Sequence, residues 1–243
     1  MDQIEEIRNK IKKAKNIVFF GGAGVSTESG IRDFRSKDGL YNIYSKYGVP
    51  YEVMLSHTYF VEHTSTFYDF YKSTMVSLGA KPNASHFALK EFEEKHHNLT
   101  IITQNIDALH SMCGSKNVIE LHGSISRNFC MECHEAYNID EVMKQKGVPH
   151  CLKCGGIIKP DVVLYEEPLD EKNLYNAYIA CHDADVMIVG GTSLNVYPAA
   201  NYVKNFTGET LIIINNDKTP FDEKADYVLY GNICEILPKI LMY

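Results

Sequence analysis

Two cysteine pairs, CMEC at 130–133 and CLKC at 151–154, are separated by 17 residues. Paired C-x2-C turns at this spacing aim four thiolates at one ion, the pattern of a tetrahedral zinc site. Four sulfur ligands leave no open coordination position, so a zinc held by Cys130, Cys133, Cys151 and Cys154 is expected to be structural. Two other readings compete. Cys130-Met-Glu-Cys-His134 spells the C-x-x-C-H of haem attachment, but that chemistry needs export to an oxidising compartment and leaves the second pair idle. A thioredoxin-like redox pair needs only one C-x-x-C beside a βαβ unit. The remaining cysteines, Cys113, Cys181 and Cys234, are expected to pack as small hydrophobes.

A second chemical signal starts at residue 19 with FFGGAGVSTESG. Gly22 and Gly24 are the first two glycines of a dinucleotide-binding turn, and Thr27 stands where the third belongs. A redox domain of this kind also places an acidic residue roughly 20 positions further on, at the end of the next strand. Here that region reads DGLYN at 38–42, with no strand before it, which weakens a hydride-transfer reading. What remains is a turn suited to pyrophosphate, followed by GIRDFRS at 30–36, in which Arg35 is a candidate phosphate partner. Further on, TQNIDALH at 103–110 follows an apolar run and offers Asn105 and Asp107, while ELHG offers His122. Taken singly, Asn and Asp are common helix caps and turn formers, and a lone histidine is commonly a core residue.

These residues need a scaffold, and the apolar runs supply one. KNIVFFG at 15–21, NLTIIT at 98–103, DVMIV at 185–189 and TLIII at 210–214 are short and continuously apolar. Such runs fit strands buried on both faces. Helical patterns lie between them, at 85–95 and 170–182, and Ile4, Ile7, Ile11 and Ala14 recur at helical spacing near the start. Strands alternating with helices predict an α/β fold with a doubly wound, Rossmann-like parallel sheet, whose ligands bind beyond the carboxyl ends of the strands. Residues 31–80 and 126–157 break the alternation. The expected division is a nucleotide-binding domain from 1–30, 81–125 and 158–243. A helical insertion (31–80) and a zinc-ribbon insertion (126–157) then form a smaller module.

Bulk properties bound the partners. With 31 acidic against 24 basic residues in 243, the net charge is −7, which gives no electrostatic footprint for duplex DNA or an anionic membrane. No apolar stretch approaches the roughly 18 to 20 residues of a membrane span. The first twenty residues carry charges through any would-be signal region. A cytoplasmic protein with no nucleic-acid or membrane partner is expected.

Taken in order along one chain, GAGVS, GIRDFRS, TQNID, LHG, the two C-x-x-C pairs, KPDVVLYEE and GTSLNVYPAA resemble the sirtuins, the NAD-dependent protein lysine deacylases. The resemblance runs from about residue 15 to the C-terminus. It implies that NAD is a co-substrate cleaved at its glycosidic bond rather than reduced. By resemblance, Ala23, Thr27, Phe34, Arg35, Gln104, Ser193, Asn215 and Ile233 line the cofactor site. Ile106 and Asp107 receive the nicotinamide carboxamide, and Asn105 orders the ribose and nearby water. An acyl-lysine carbonyl oxygen attacks the anomeric carbon and nicotinamide, product and inhibitor, leaves. His122 then acts as general base on the ribose hydroxyls, and water releases lysine and O-acyl-ADP-ribose. The acyl-lysine peptide is expected to lie extended between VVLY at 162–165 and LNVY at 194–197 as an added strand.

Three positions depart from the family. Arg32 stands for the usual proline and Glu166 for the usual glycine. Sirtuins that remove acidic acyl groups carry Tyr-x-x-Arg, whereas here Tyr68 is followed by Tyr71. Without a bidentate arginine, acetyl or longer apolar groups are the expected substrates. Two rival functions remain at this stage: protein mono-ADP-ribosyl transfer from the same NAD site, and a non-catalytic zinc-ribbon module that uses NAD as a structural ligand.

Overall fold

The computed structural model describes residues 2–33, 48–195 and 197–242. Its larger sheet has six parallel strands: β1 (Ile17–Gly21), β2 (Leu99–Thr103), β3 (Val118–Glu120), β7 (Val186–Gly190), β8 (Thr210–Asn215) and β9 (Tyr227–Tyr230). A separate antiparallel sheet joins β4 (Gly123–Cys130), β5 (Ala136–Asn138) and β6 (Ile158–Val162). The helices are α1 (Gln3–Lys13), α2 (Tyr51–Met54), α3 (His57–Glu62), α4 (Thr64–Phe70), α5 (Ala84–His96) and α6 (Leu109–Cys113). The second half adds α7 (Ile139–Lys144), α8 (Glu171–Asp183), α9 (Ala200–Lys204) and α10 (Ile233–Leu241). Among these, no helix is long and apolar enough to cross a membrane.

The order of the large sheet is β3-β2-β1-β7-β8-β9, with every neighbouring pair parallel. Alternating residues of each strand enter different cores, because successive side chains point to opposite faces. Ile17 and Phe19 pack with Ile7 and Ile11 of α1, Leu89 and Phe92 of α5, and Leu237 of α10. Val18 and Phe20 pack on the other face with Ala177 and Cys181 of α8 and Val203 of α9. Helices thus cover both faces, as the apolar runs predict. Phe19 is fully buried, which contributes on the order of 1.5–3 kcal/mol. The short strands β3 and β9, at the two edges, are not evident in the sequence.

Strand order reverses at the pair β1 and β7: β2 and β3 lie on one side of β1, and β7, β8 and β9 on the other. This is the topological switch point, where a crevice opens beyond the strand ends. Gly22 and Gly24 follow β1 there, and Gly191 follows β7. The two backbones touch: the Gly24 N–H donates to the Gly191 carbonyl at 2.8 Å. A Cβ on Gly24 would lie 2.8 Å from the Gly191 Cα, so only glycine allows the approach.

The small sheet carries the cysteine pairs, Cys130 closing β4 and Cys151 and Cys154 preceding β6. The helical segment α2–α4 continues into a π-turn over Tyr71–Met75 and packs its aromatic residues against Ile125, Val162 and Leu164. Lys72 on that turn donates to the carbonyls of Gln145 at 2.6 Å and Gly147 at 2.7 Å, which ties the helical segment to the loop after α7.

Candidate active site

A cavity of about 1680 Å³ opens at the switch point and runs to the small sheet. Ala23 and Thr27 line it from a seven-residue 3-10 turn, Ala23–Ser29, that follows β1. Gln104, Asn105, Ile106 and Asp107 line it from the end of β2, His122 from the end of β3, Ser193 from beyond β7, and Asn215 from the end of β8. The parallel strands therefore deliver nine of the sequence-predicted residues to one cavity. Phe34 and Arg35 lie outside the described residues. Ile233 is set apart: it heads α10 with its side chain in the core beside Phe19 and Val25.

His122 has a defined proton arrangement. Its Nδ1 lies 2.8 Å from the Gln104 carbonyl oxygen, which can only accept, so Nδ1 carries the hydrogen and Nε2 keeps a lone pair. Burial lowers the pKa of His122 below the ordinary histidine value, the Gln104 bond opposing it in part, which favours a neutral ring. The main chain on either side is fixed as well, since Leu121 N–H donates to Thr103 O at 2.9 Å and Val163 N–H to His122 O at 3.0 Å.

Asn105 and Asp107 meet through a residue that the sequence reading passes over. Ser26 Oγ donates to Asp107 Oδ2 at 2.6 Å and accepts from Asn105 Nδ2 at 3.0 Å. Asp107 Oδ1 accepts from the Leu109 N–H at 2.9 Å. Burial raises the pKa of Asp107, and the bonds from Ser26, Leu109 and Asn105 oppose that rise. The two carboxylate oxygens have four lone pairs between them, so with these three bonds made one is still left to offer. Ser26 has the buried serine of the GAGVS turn as its only sequence signal, and serine is common in turns. Nearby, Gln104 Oε1 accepts from Thr192 Oγ1 at 3.3 Å, while its buried Nε2 has no protein partner among the described residues. An orphaned donor in the cavity wall suits a sugar hydroxyl.

The four cysteine sulfurs lie within 4.8 Å of one another. Cys130–Cys154 is 3.4 Å, Cys133–Cys154 3.3 Å and Cys133–Cys151 3.6 Å. Thiolates about 2.3 Å from a tetrahedral zinc sit about 3.8 Å apart, so this donor set fits that ion. The Tyr137 hydroxyl donates to Cys151 Sγ at 3.2 Å, which draws the Cys151 thiol down to about 6.

A Sir2 family profile matches residues 22–198. The chain belongs to the Sir2 family. Its relatives include the NAD-dependent protein deacetylase of Clostridium acetobutylicum, 50% identical over 242 residues and covering 99% of each chain. That of Clostridium tetani is 52% identical over 242 residues, 99% of this chain and 98% of its own. Among solved structures, a Sir2 bound to a p53 peptide and NAD+ superposes with a TM-score of 0.85 at 34% identity, covering 98% of this chain and 97% of its own. A Sir2 holding a deacetylated p53 peptide and 3′-O-acetyl ADP ribose gives 0.88 at 36% identity, covering 98% and 96%. The doubly wound sheet with a small cysteine-bearing sheet beside it is thus the Sir2 architecture.

Proposed function

We propose that this chain removes acetyl groups from protein lysines, consuming NAD and giving nicotinamide, O-acyl-ADP-ribose and free lysine. The observation that carries the reading is the His122 imidazole, fixed by Gln104 with its Nε2 lone pair free, on the wall of the same cavity as Asn105 and Asp107. The deacetylase names of full-length relatives at about half identity support it.

NAD supplies a ribose whose bond to nicotinamide is weak enough to break. The residues of this chain do the rest. Ala23, Thr27 and the glycine turn take the pyrophosphate, with Arg35 as its cation, and Gln104 Nε2, Ser193 and Asn215 hold sugar hydroxyls. Ile233 joins them through its main chain. Ile106 and Asp107 receive the carboxamide, and Ser26 and Asn105 keep that carboxylate from turning away. His122 Nε2 takes the proton of a ribose hydroxyl, a positioned-base step worth on the order of 10²–10⁴ in rate.

The substrate peptide lies as an added strand on the edges at 162–165 and 194–197. Tyr68 and Tyr71 are buried in an aromatic cluster, Tyr68 donating to the Ile158 carbonyl, and provide no cation for an acidic acyl group. Acetyl and longer apolar groups fit better. The four cysteines hold a structural zinc, which requires reduced thiols and so a cytoplasmic setting. The helical segment 31–80 and the ribbon 126–157 form most of the smaller body, whose sheet also takes 123–125 and 158–162 from the segments 1–30, 81–125 and 158–243 assigned to the nucleotide-binding body.

The test is nicotinamide release from NAD labelled in its adenine, with an acetyl-lysine peptide present or omitted. Peptide-dependent release with label on acetyl-ADP-ribose is expected. Label accumulating on protein would replace this reading with ADP-ribosyl transfer.

A further inference from the structure

Glu166 occupies the left-handed region, at φ 74°, on the loop that follows β6 and lines the cavity. A non-glycine residue holds such a conformation only where its surroundings over-determine it. Glu166 is exposed, so packing does not do so. Its own carboxylate does: Oε2 accepts from the Thr58 N–H at 2.9 Å and from Thr58 Oγ1 at 2.7 Å. Main-chain bonds complete the clasp, Tyr165 N–H to Leu55 O and His57 N–H to Tyr165 O, both at 2.9 Å. The clasp leaves Glu166 Oε1 without a donor among the described residues, and the bonds from Thr58 hold the carboxyl below the usual range.

Its neighbour is differently placed. Glu167 Oε2 pairs with Lys159 Nζ at 3.0 Å and accepts from Leu164 N–H at 2.9 Å, while Oε1 meets His57 Nδ1 at 2.9 Å. Its charge is compensated. The described cations lining the cavity, Arg32 and Lys218, follow the 3-10 turn and β8, on the nucleotide side. The peptide edge therefore presents a fixed negative charge on Glu166 that has no Lys or Arg ion pair among the described residues, with the His57 imidazole near it.

We propose that Glu166 is a specificity-determining residue of this site, favouring acyl-lysine peptides that carry a basic residue beside the modified lysine. The proposal rests on the deacetylation reading and on the peptide lying along this edge.

The experiment compares two acetyl-lysine peptides, identical except for Arg or Glu flanking the lysine, by kcat/KM at saturating NAD and low salt. The wild type is expected to prefer the Arg peptide. Glu166→Gln keeps an oxygen for Thr58 and removes the charge, so the Arg-over-Glu preference should fall about tenfold, about threefold from the attraction to Arg and about threefold from the repulsion of Glu, for unit charges roughly 6 Å apart in water. Thr58→Val keeps the charge and loosens the clasp, and should raise KM for both peptides while sparing their ratio. In 1 M salt, where the screening length is about 3 Å, the wild-type preference should fade, and this arm decides if the Gln variant fails to fold. An unchanged ratio in Glu166→Gln, or a preference indifferent to salt, overturns the proposal. Binding of the same peptides by fluorescence polarisation keeps the two readings apart. Preference in binding without turnover would defeat deacetylation alone, and turnover without preference would defeat the role of Glu166 alone.

Discussion

Acid should unfold this protein through two histidines that take no part in the chemistry. His86 on α5 and His110 on α6 are both buried, with ring centroids 4.7 Å apart and Phe19 against His110. His86 Nε2 and both ring nitrogens of His110 have no partner among the described residues. Burial pushes His86 down to about 4, and burial with repulsion from His86 pushes His110 down to about 3. The unfolded chain titrates both near 6.5. Below that pH the unfolded state binds protons that the folded state refuses, so stability is complete above about 7 and is lost as pH falls from 6.5 toward 4. One unit below the unfolded value, each group costs about 1.4 kcal/mol, and the pair costs about 2–3 kcal/mol between pH 7 and 5.5. Against a typical total of 5–15 kcal/mol this is a large fraction. We predict that urea midpoints fall accordingly, and that His110→Leu recovers about half of the pH dependence. Comparing the variant's pH 7 to 5.5 change with the wild type's cancels the cost of the substitution and the opposing titration of Asp107. Equal changes in the two proteins, or an NMR titration of His110 above pH 6, would refute the reasoning.

Four further outcomes follow from the geometry. His122→Ala is expected to abolish nearly all deacetylation with an unchanged circular dichroism spectrum, and more than about a tenth of the activity left would point to another base. Because burial lowers the pKa of His122, the acid limb of kcat/KM in the wild type should lie below pH 6.5, and a limb above it would contradict a buried neutral base. Cys151→Ser should lose zinc and thermal stability together, and full zinc content by elemental analysis would sink the four-thiolate site. Gly24→Ala forces a methyl to within 2.8 Å of the Gly191 Cα, so NAD affinity measured by calorimetry should drop with a lower melting temperature, and wild-type affinity would deny that the two loops must touch.

What the sequence disclosed followed from patterns that are local. Four apolar runs named the central strands, because a strand buried on both faces leaves a continuous signature. The doubled C-x2-C named the sulfur cluster, because both turns are local. The edge strands escaped for the opposite reason: β3 is three residues long, and Tyr227–Tyr230 is only partly buried. Ser26 escaped because its importance comes from contacts 79 and 81 residues away, to Asn105 and Asp107. Ile233 shows the reverse case, a residue assigned by family resemblance whose side chain the fold places in the core.

Glu166 joins these two kinds of information. Its identity as a departure from glycine is visible in the sequence, and on its own it signals only strain at a loop. The compensation is tertiary, since Thr58 lies 108 residues earlier on a different segment. Thr58 gives no sign in its own neighbourhood of what it holds. A residue that costs backbone freedom is here matched by bonds to Thr58 on α3, and the by-product is a carboxylate oxygen aimed at no residue described. On the proposed peptide edge, the residue beside the modified lysine would face that oxygen. The side chain bonded to Thr58 is also the one proposed to read the substrate's charge, and the Gln and Val variants separate those two roles because one removes charge and the other removes a donor.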